Sequence, residues 1–177
     1  MLSLLTKVFS TPKTVIPISE LTYSPDVLRI ETPLDPSVIK LFRGSLAIRE
    51  VDAGSTSAEE EELKAINNAY YDVERFGIHF VASPRHADML MVTGPVTQNM
   101  ADALKRTYDA TPDPKIIVAV GDGAIDGGMF KDSYAVVGGV NKVIPVHFSI
   151  PGDPPSAKTI LTALLQILEI LKKGNNA

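Results

Sequence analysis

Apolar positions along this chain recur with two different periods, and the change from one to the other marks its organisation. From Arg43 to Val51 the apolar residues Leu46, Ile48 and, after a slip in phase, Val51 are spaced as in a strand. From Ser57 to Arg75, Leu63, Ile66 and Tyr70 recur at helical spacing. The switch falls within Asp52-Ala-Gly-Ser-Thr-Ser-Ala-Glu-Glu-Glu-Glu62, so a small-residue loop joins the end of a strand to the start of a helix. In open α/β sheets such loops, at the carboxyl ends of strands, are where sites are built. Ser57 and Glu60 are spaced as a capping box, and the other glutamates of the run place negative charge at the positive end of the helix dipole.

The same pattern continues downstream. Gly77–Ala82 and Ala87–Thr93 read as short strands, and Thr97 is placed to cap a helix over Gln98–Tyr108. Lys115–Gly121 is a continuous apolar run of the kind buried on both faces of a sheet, followed by a loop over Asp122–Gly128. Tyr134–Gly139 fits either one helical turn or an irregular crossing. Lys142–Ile150 reads as the last strand, with Pro145 pointing to an edge position or a bulge. Pro154-Pro155-Ser156 opens an amphipathic helix that turns Ile160, Leu161, Leu164, Leu165, Leu168 and Leu171 toward the core and ends at Lys172, Lys173 and Gly174.

Strands alternating with helices predict an α/β fold with a mostly parallel sheet covered on both faces. Residues 1–43 read instead as an extended arm. Met1–Phe9 is either an amphipathic segment or a frayed end, Thr11–Lys40 is proline-rich, and one short helix is expected at Pro36–Phe42. Val15, Ile16, Ile18 and Leu21 have no core within the arm and are expected to lie on another surface, of this domain or of a neighbouring subunit. The domain itself is expected over residues 44–174.

Composition narrows the chemistry. The chain has 177 residues, 45% of them hydrophobic, and a net charge of −4 with no basic run, which leaves no footprint for nucleic acid. No apolar stretch is long enough to span a membrane, so a soluble, intracellular protein is expected. There is no cysteine, which removes disulfides, thiolate catalysis and cysteine-held metal. His79, His86 and His147 lack metal-ligand spacing. His79 and His147 fall in strands and are expected to be structural, and His86 falls in a loop. Gly121-Asp-Gly-Ala-Ile-Asp126 keeps only the first two glycines of a dinucleotide fingerprint, and its aspartates would repel phosphate. Ser55, Thr56 and Ser57 lack a nucleophile-elbow pattern and a paired base.

Ordered phrases identify a resemblance. Asp52-Ala-Gly-Ser, Tyr70-Tyr-Asp-Val-Glu-Arg-Phe-Gly-Ile78, Ala82-Ser-Pro-Arg-His-Ala-Asp88, Val92-Thr-Gly-Pro-Val-Thr97, Pro112-Asp-Pro-Lys115, Val120-Gly-Asp122, Val143-Ile-Pro-Val146 and Ile150-Pro-Gly152 resemble the small-subunit family shared by group 4 membrane-bound NiFe hydrogenases, formate hydrogenlyase and respiratory complex I. The Asp-Ala-Gly-Ser opening is more similar to the hydrogenase branch. The resemblance implies a flavodoxin-like fold and a 4Fe–4S cluster held by cysteines in a C-x-x-C-E motif, a Gly-Asp-Cys loop and a Pro-Gly-Cys-Pro loop. Those ligand positions fall on Thr56, Glu59, Gly123 and Asp153, and the glutamate after the second cysteine is kept as Glu60.

None of the four can supply a thiolate, so no cluster is expected in this chain. In its place Thr56 and Ser57 are expected to satisfy helix N–H groups, Gly123 to leave room for water or for Glu59, and Glu59 and Asp153 to converge on one pocket. Four different replacement types fit natural divergence better than engineered cysteine removal, which would use Ser or Ala. The resemblance further implies partners: a large-subunit homologue, ion-translocating membrane subunits and a ferredoxin-like subunit, with this chain peripheral on the cytoplasmic side. Arg49, Glu60, Arg85 and His86 are the expected interface or proton-handling residues. The chain is thus expected to act as a cluster-free structural or coupling subunit. Electron transfer through a non-standard cofactor, and a stand-alone α/β binding protein, are the alternatives.

Overall fold

A computed structural model describes Lys7, Ser10, Pro12 and residues 14–21, 24–34 and 45–174; the short helix expected at Pro36–Phe42 and nearly all of Met1–Phe9 lie outside the described residues. Its strands are β1 (Arg29–Ile30), β2 (Leu46–Asp52), β3 (Ile78–Phe80), β4 (Met89–Thr93), β5 (Val96–Thr97), β6 (Ile116–Val120), β7 (Val136–Gly138) and β8 (Phe148–Ile150). The α-helices are α1 (Ala58–Ala65), α2 (Gln98–Ala110), α3 (Asp122–Asp126) and α4 (Ala157–Gly174).

The main sheet has the order β1-β8-β6-β4-β2-β3. Strands β3, β2, β4, β6 and β8 are parallel, and β1 closes one side antiparallel to β8. Taken in chain order, the parallel strands give the 2-1-3-4-5 arrangement of flavodoxin-like folds.

Period-2 alternation sorts the strand residues onto two cores. Leu46, Ile48, Met89, Met91, Val118 and Phe148 face one, against Leu63 and Ile66 near α1 and Ile160, Leu161, Leu164 and Leu168 of α4. Val51, Leu90, Val92, Ile117 and Ala119 face the other, with Leu104 of α2 and Ala124 of α3. Val51 therefore needs no slip in phase, because Leu46 and Ile48 point to one face and Val51 to the other. In α4 the expected stripe is buried, with Leu165 only partly so and Ala163 and Ile167 added to it.

Of the apolar residues expected to lie on another surface, Ile16 and Leu21 pack against the rest of this chain, whereas Ile18 is exposed. Ile16 is buried, its N–H donates to the Tyr70 carbonyl at 2.7 Å, and Arg75 Nη2 donates to the Ile16 carbonyl at 2.7 Å. Leu21, Val27, Leu28 and Leu34 pack against the first core, and Gln166 Nε2 donates to the Ser24 carbonyl at 3.2 Å.

Several expected elements differ. The helix expected to run to Arg75 ends at Ala65, where Asn67 takes up the Leu63 carbonyl and Asn68 accepts from the N–H groups of Tyr70 and Tyr71 in a turn; Val73–Phe76 is a separate 3-10 turn. Asp122–Asp126 is one short helix rather than a loop. The ambiguous segment forms β7, antiparallel to β5. The last strand shrinks to Phe148–Ile150, because Pro145 has no N–H for the ladder, and it lies between β6 and β1 rather than at an edge.

His147 is structural, as expected: its Nδ1 accepts from the Ile117 N–H at 3.0 Å, and burial lowers its pKa. His79 is exposed and serves no core. Among the described residues no helix is long and apolar enough to cross a membrane.

Candidate functional site

The four parallel strands β2, β4, β6 and β8 deliver their following loops to one edge, and backbone contacts lock those loops together. Beyond β2, the Ala53 N–H donates to the Thr93 carbonyl at 3.0 Å and the Thr97 N–H donates to the Ala53 carbonyl at 2.9 Å. Beyond β6 and β8, the Asp122 N–H donates to the Gly152 carbonyl at 2.8 Å, and Asp122 Oδ1 accepts from the Gly152 N–H at 3.0 Å. Glycines make this closeness possible. Gly94, at φ +69°, leaves no space for a Cβ beside the Ser55 backbone, and a Cβ on Gly123 would stand 2.9 Å from Pro95 Cδ.

The turn from β2 into α1 is built by side chains. Asp52 Oδ1 accepts from the N–H groups of Gly54 and Ser55, both at 2.7 Å, and Ser55 Oγ accepts from the Ser57 N–H at 2.9 Å. Ser57 sits at φ 68°, ψ 2°, in the left-handed region instead of the extended one that a capping residue occupies, and its hydroxyl caps nothing. The expected capping box is therefore not formed. The hydroxyl of Thr97 likewise leaves α2 uncapped and donates to the Ala53 carbonyl at 3.2 Å.

Glu60 instead reaches toward the sheet. One of its oxygens accepts from Ser55 Oγ and the other from Thr93 Oγ1, a buried hydroxyl at the end of β4. Glu50 lies next to this pair, and burial followed by the Glu60 charge raises its pKa, with the Arg49 charge opposing. Arg49 Nε is buried without a hydrogen-bond partner among the described residues.

Glu59 is buried, 4% exposed, despite sitting in a run of four glutamates. It lies against Gly121, where an added Cβ would come within 2.7 Å of Glu59 Oε1. The expectation that Gly123 leaves room for this side chain is thus corrected: the room is at Gly121, and Gly123 is filled by Pro95. Glu62, on the same helix, is spent on structure, its Oε2 accepting from the Ala157 N–H at the start of α4 at 2.7 Å.

Of the four mapped positions, Thr56 and Asp153 are exposed and Glu59 is buried. Asp153 lines a shallow depression with Arg29, Asp122, Asp126 and Met129, although its charge still bears on Glu59. One of the two carboxylates is thus buried and the other exposed at the same edge. Arg85 and His86 are exposed in a 3-10 turn that feeds the amino end of β4, so the structure keeps them apart from the Glu59–Glu60 group.

In the sequence Ser55 and Gly121 stand only in patterns read for other chemistry, Thr93 only as a strand end, and Glu50 in none. The one available signal was a hydroxyl, Thr93, closing an otherwise apolar strand.

The donor set decides whether the iron–sulfur cluster implied by the resemblance fits. Such clusters are held by thiolates, and the chain has none. Thr56, Glu59, Gly123 and Asp153 offer an exposed hydroxyl, a buried carboxyl, no side chain and an exposed carboxylate. Among the described residues no group of three or more His, Asp or Glu is placed to hold a metal ion. The residues present do not fit the cluster.

Comparison with known proteins bears on most of the chain. The sequence profile of a family described as NADH ubiquinone oxidoreductase, 20 Kd subunit, matches residues 57–167. An NADH-quinone oxidoreductase subunit of Bacteroides thetaiotaomicron is 47% identical over 119 residues, 67% of this chain and 60% of that one. A probable membrane-bound hydrogenase subunit of Pyrococcus furiosus is 42% identical over 123 residues, 70% of this chain and 74% of that one. These identities do not favour the hydrogenase branch over the other. Among solved structures, a chain of a membrane-bound sulfane sulfur reductase, an archaeal respiratory membrane complex, superposes with a TM-score of 0.67 at 32% identity, covering 80% of this chain and 78% of that one.

Proposed function

The chain belongs to the family of the 20 kDa subunit of NADH ubiquinone oxidoreductase, and on that premise we propose that it is a cluster-free structural and coupling subunit of a membrane-bound oxidoreductase complex. The observation that carries the reading is the donor set at the carboxyl edge, where no thiolate stands at any of the four mapped positions. An electron path through this edge would lack its carrier, so the role left to the subunit is to hold its neighbours in place and to respond to them.

Surface chemistry supports docking. Immediately after the short helix α3, Met129 is 80% exposed and Tyr134 is 93% exposed, with Phe130 between them also exposed. Large apolar side chains held in water next to a family site are characteristic of a surface that a partner covers. In this reading the partner is a homologue of the large subunit, anchored through this chain to membrane subunits that move ions, and the chain lies peripherally on the cytoplasmic side. Arg49 and Glu60 are the interface residues nearest the edge; Arg85 and His86 belong to a separate contact.

Anaerobic incubation of the purified chain with ferrous iron, sulfide and thiol tests the central part. The expected result is iron and acid-labile sulfide at background after desalting, with no EPR signal on reduction. A stoichiometric 4Fe–4S cluster in the unaltered chain would refute the reading.

A further inference from the structure

The carboxyl edge contains one buried oxygen that the proposed role does not use. Glu59 Oε2 has no hydrogen-bond partner among the described residues, in a residue that is 4% exposed. Its neighbour behaves differently. Both oxygens of Glu60 accept from hydroxyls, of Ser55 and Thr93. An ionised Glu59 would place a second negative charge in the same enclosed region without a donor on Oε2, and a buried charge without pairing is strongly disfavoured.

The groups facing Glu59 make the disfavour larger. Glu60 comes from its own helix, Asp52 from the end of β2 and Asp153 from the loop after β8, and all three are carboxylates. Gly121, at the junction of β6 and α3, adjoins the Glu59 side chain and brings backbone and no charge. The leading charges that act on it are all acidic. We propose that the Glu59 carboxyl is a proton-binding site, a neutral acid enclosed at the edge where the resemblance implies a cluster. The site rests on the reading that no cluster is held there.

Electrostatics agrees with the geometry. Burial first, and then the charges of Glu60, Asp153 and Asp52, raise the Glu59 pKa, against an opposing pull from its own backbone N–H. Deprotonation breaks the carboxyl O–H bond, passes the proton to water and leaves a second carboxylate beside Glu60. Anything that opens the edge to water, or brings a cation to it, favours that release. The chemistry is that of a one-proton store.

The sign of the pH dependence follows from linkage. A carboxyl with a raised folded pKa binds a proton that the unfolded chain has already lost, so folded stability falls as pH rises from the ordinary glutamate value through the folded one. The test uses the full chain labelled with 13C at the glutamate carboxyl carbons, the Glu59 signal being assigned through its backbone and followed through a pH titration. Denaturant unfolding of wild type and Glu59→Gln is run alongside at about pH 5 and about pH 8. The amide matches the neutral acid in size, so the variant keeps the fold.

The expected results are a Glu59 midpoint above the ordinary value of about 4.3 and a loss of stability between the two pH values that is smaller in Glu59→Gln than in wild type. A Glu59 midpoint at or below the ordinary value, or an unchanged pH slope in the variant, overturns the proposal. Iron and sulfide measured on the same preparation separate the two readings. A bound cluster refutes the cluster-free subunit, whereas an ordinary titration without a cluster refutes only the proton site.

Discussion

Gly94→Ala is expected to destabilise the chain by about 2–5 kcal/mol, the sum of left-handed backbone strain and overpacking against immobile atoms. Gly94 sits at φ +69°, where an L side chain is strained whatever the space around it. Its added methyl would also overlap the Ser55 backbone, which Asp52 fixes by accepting from the Ser55 N–H and which holds Glu60 through its side-chain hydroxyl. The loop cannot yield at one point without losing that network.

Gly121→Ala provides the contrast. It is also at positive φ, but what its methyl meets is the end of the Glu59 side chain, which can move. The steric part is smaller there, but φ 87°, ψ 156° is a region that essentially only glycine adopts, so backbone strain of roughly 1–3 kcal/mol remains. Denaturant midpoints at unchanged slope give both numbers, and a Gly94→Ala loss under about 1 kcal/mol would mean that the β2 and β4 loops are not interlocked as described.

The second large effect is on assembly. Replacing Met129 and Tyr134 together with glutamate removes two exposed side chains from the surface proposed to meet the large-subunit homologue. If each anchors the contact at about 2 kcal/mol, the pair weakens association by roughly a thousandfold. Affinity purification of the chain from its own cells should then recover little or no large-subunit homologue, while the variant itself stays folded because neither side chain belongs to a core. Undiminished recovery would place the partner on another face.

How much of this was legible beforehand depends on the kind of interaction. The alternation of Leu46, Ile48 and Val51, the wholly apolar Ile116–Val120 and the stripe along Ala157–Gly174 are local periodicities, so the sheet and its covering helices could be read directly. The four loops at the carboxyl edge followed from the strand directions. What the sequence hid is set by contacts distant along the chain.

Ser57 and Glu60 have capping-box spacing, yet Thr93, 33 residues away from Glu60, takes that carboxylate, and the backbone at Ser57 turns left-handed. A run of four glutamates reads as a solvated helix start. That one of them is buried depends on Gly121, whose missing side chain makes the space. Thr56, Glu59, Gly123 and Asp153 were found only through the phrases that resemble a known family, since nothing in their own spacing marks them. Gly123 shows the limit of that route, because the space expected beside it is taken by Pro95. Asp122–Asp126 was missed as a helix because five residues beginning Asp-Gly carry no helical period.

The measurement that bears most directly on the cluster-free subunit is made on the assembled complex. Purified anaerobically through a tag on this chain, the complex is analysed for iron and acid-labile sulfide and examined by EPR after stepwise reduction. Every cluster signal is expected to be assigned to other subunits, and Glu59→Gln to leave the spectrum unchanged. A signal that disappears or shifts when Thr56, Glu59 or Asp153 is substituted would place a cluster at this edge and return electron transfer to the subunit.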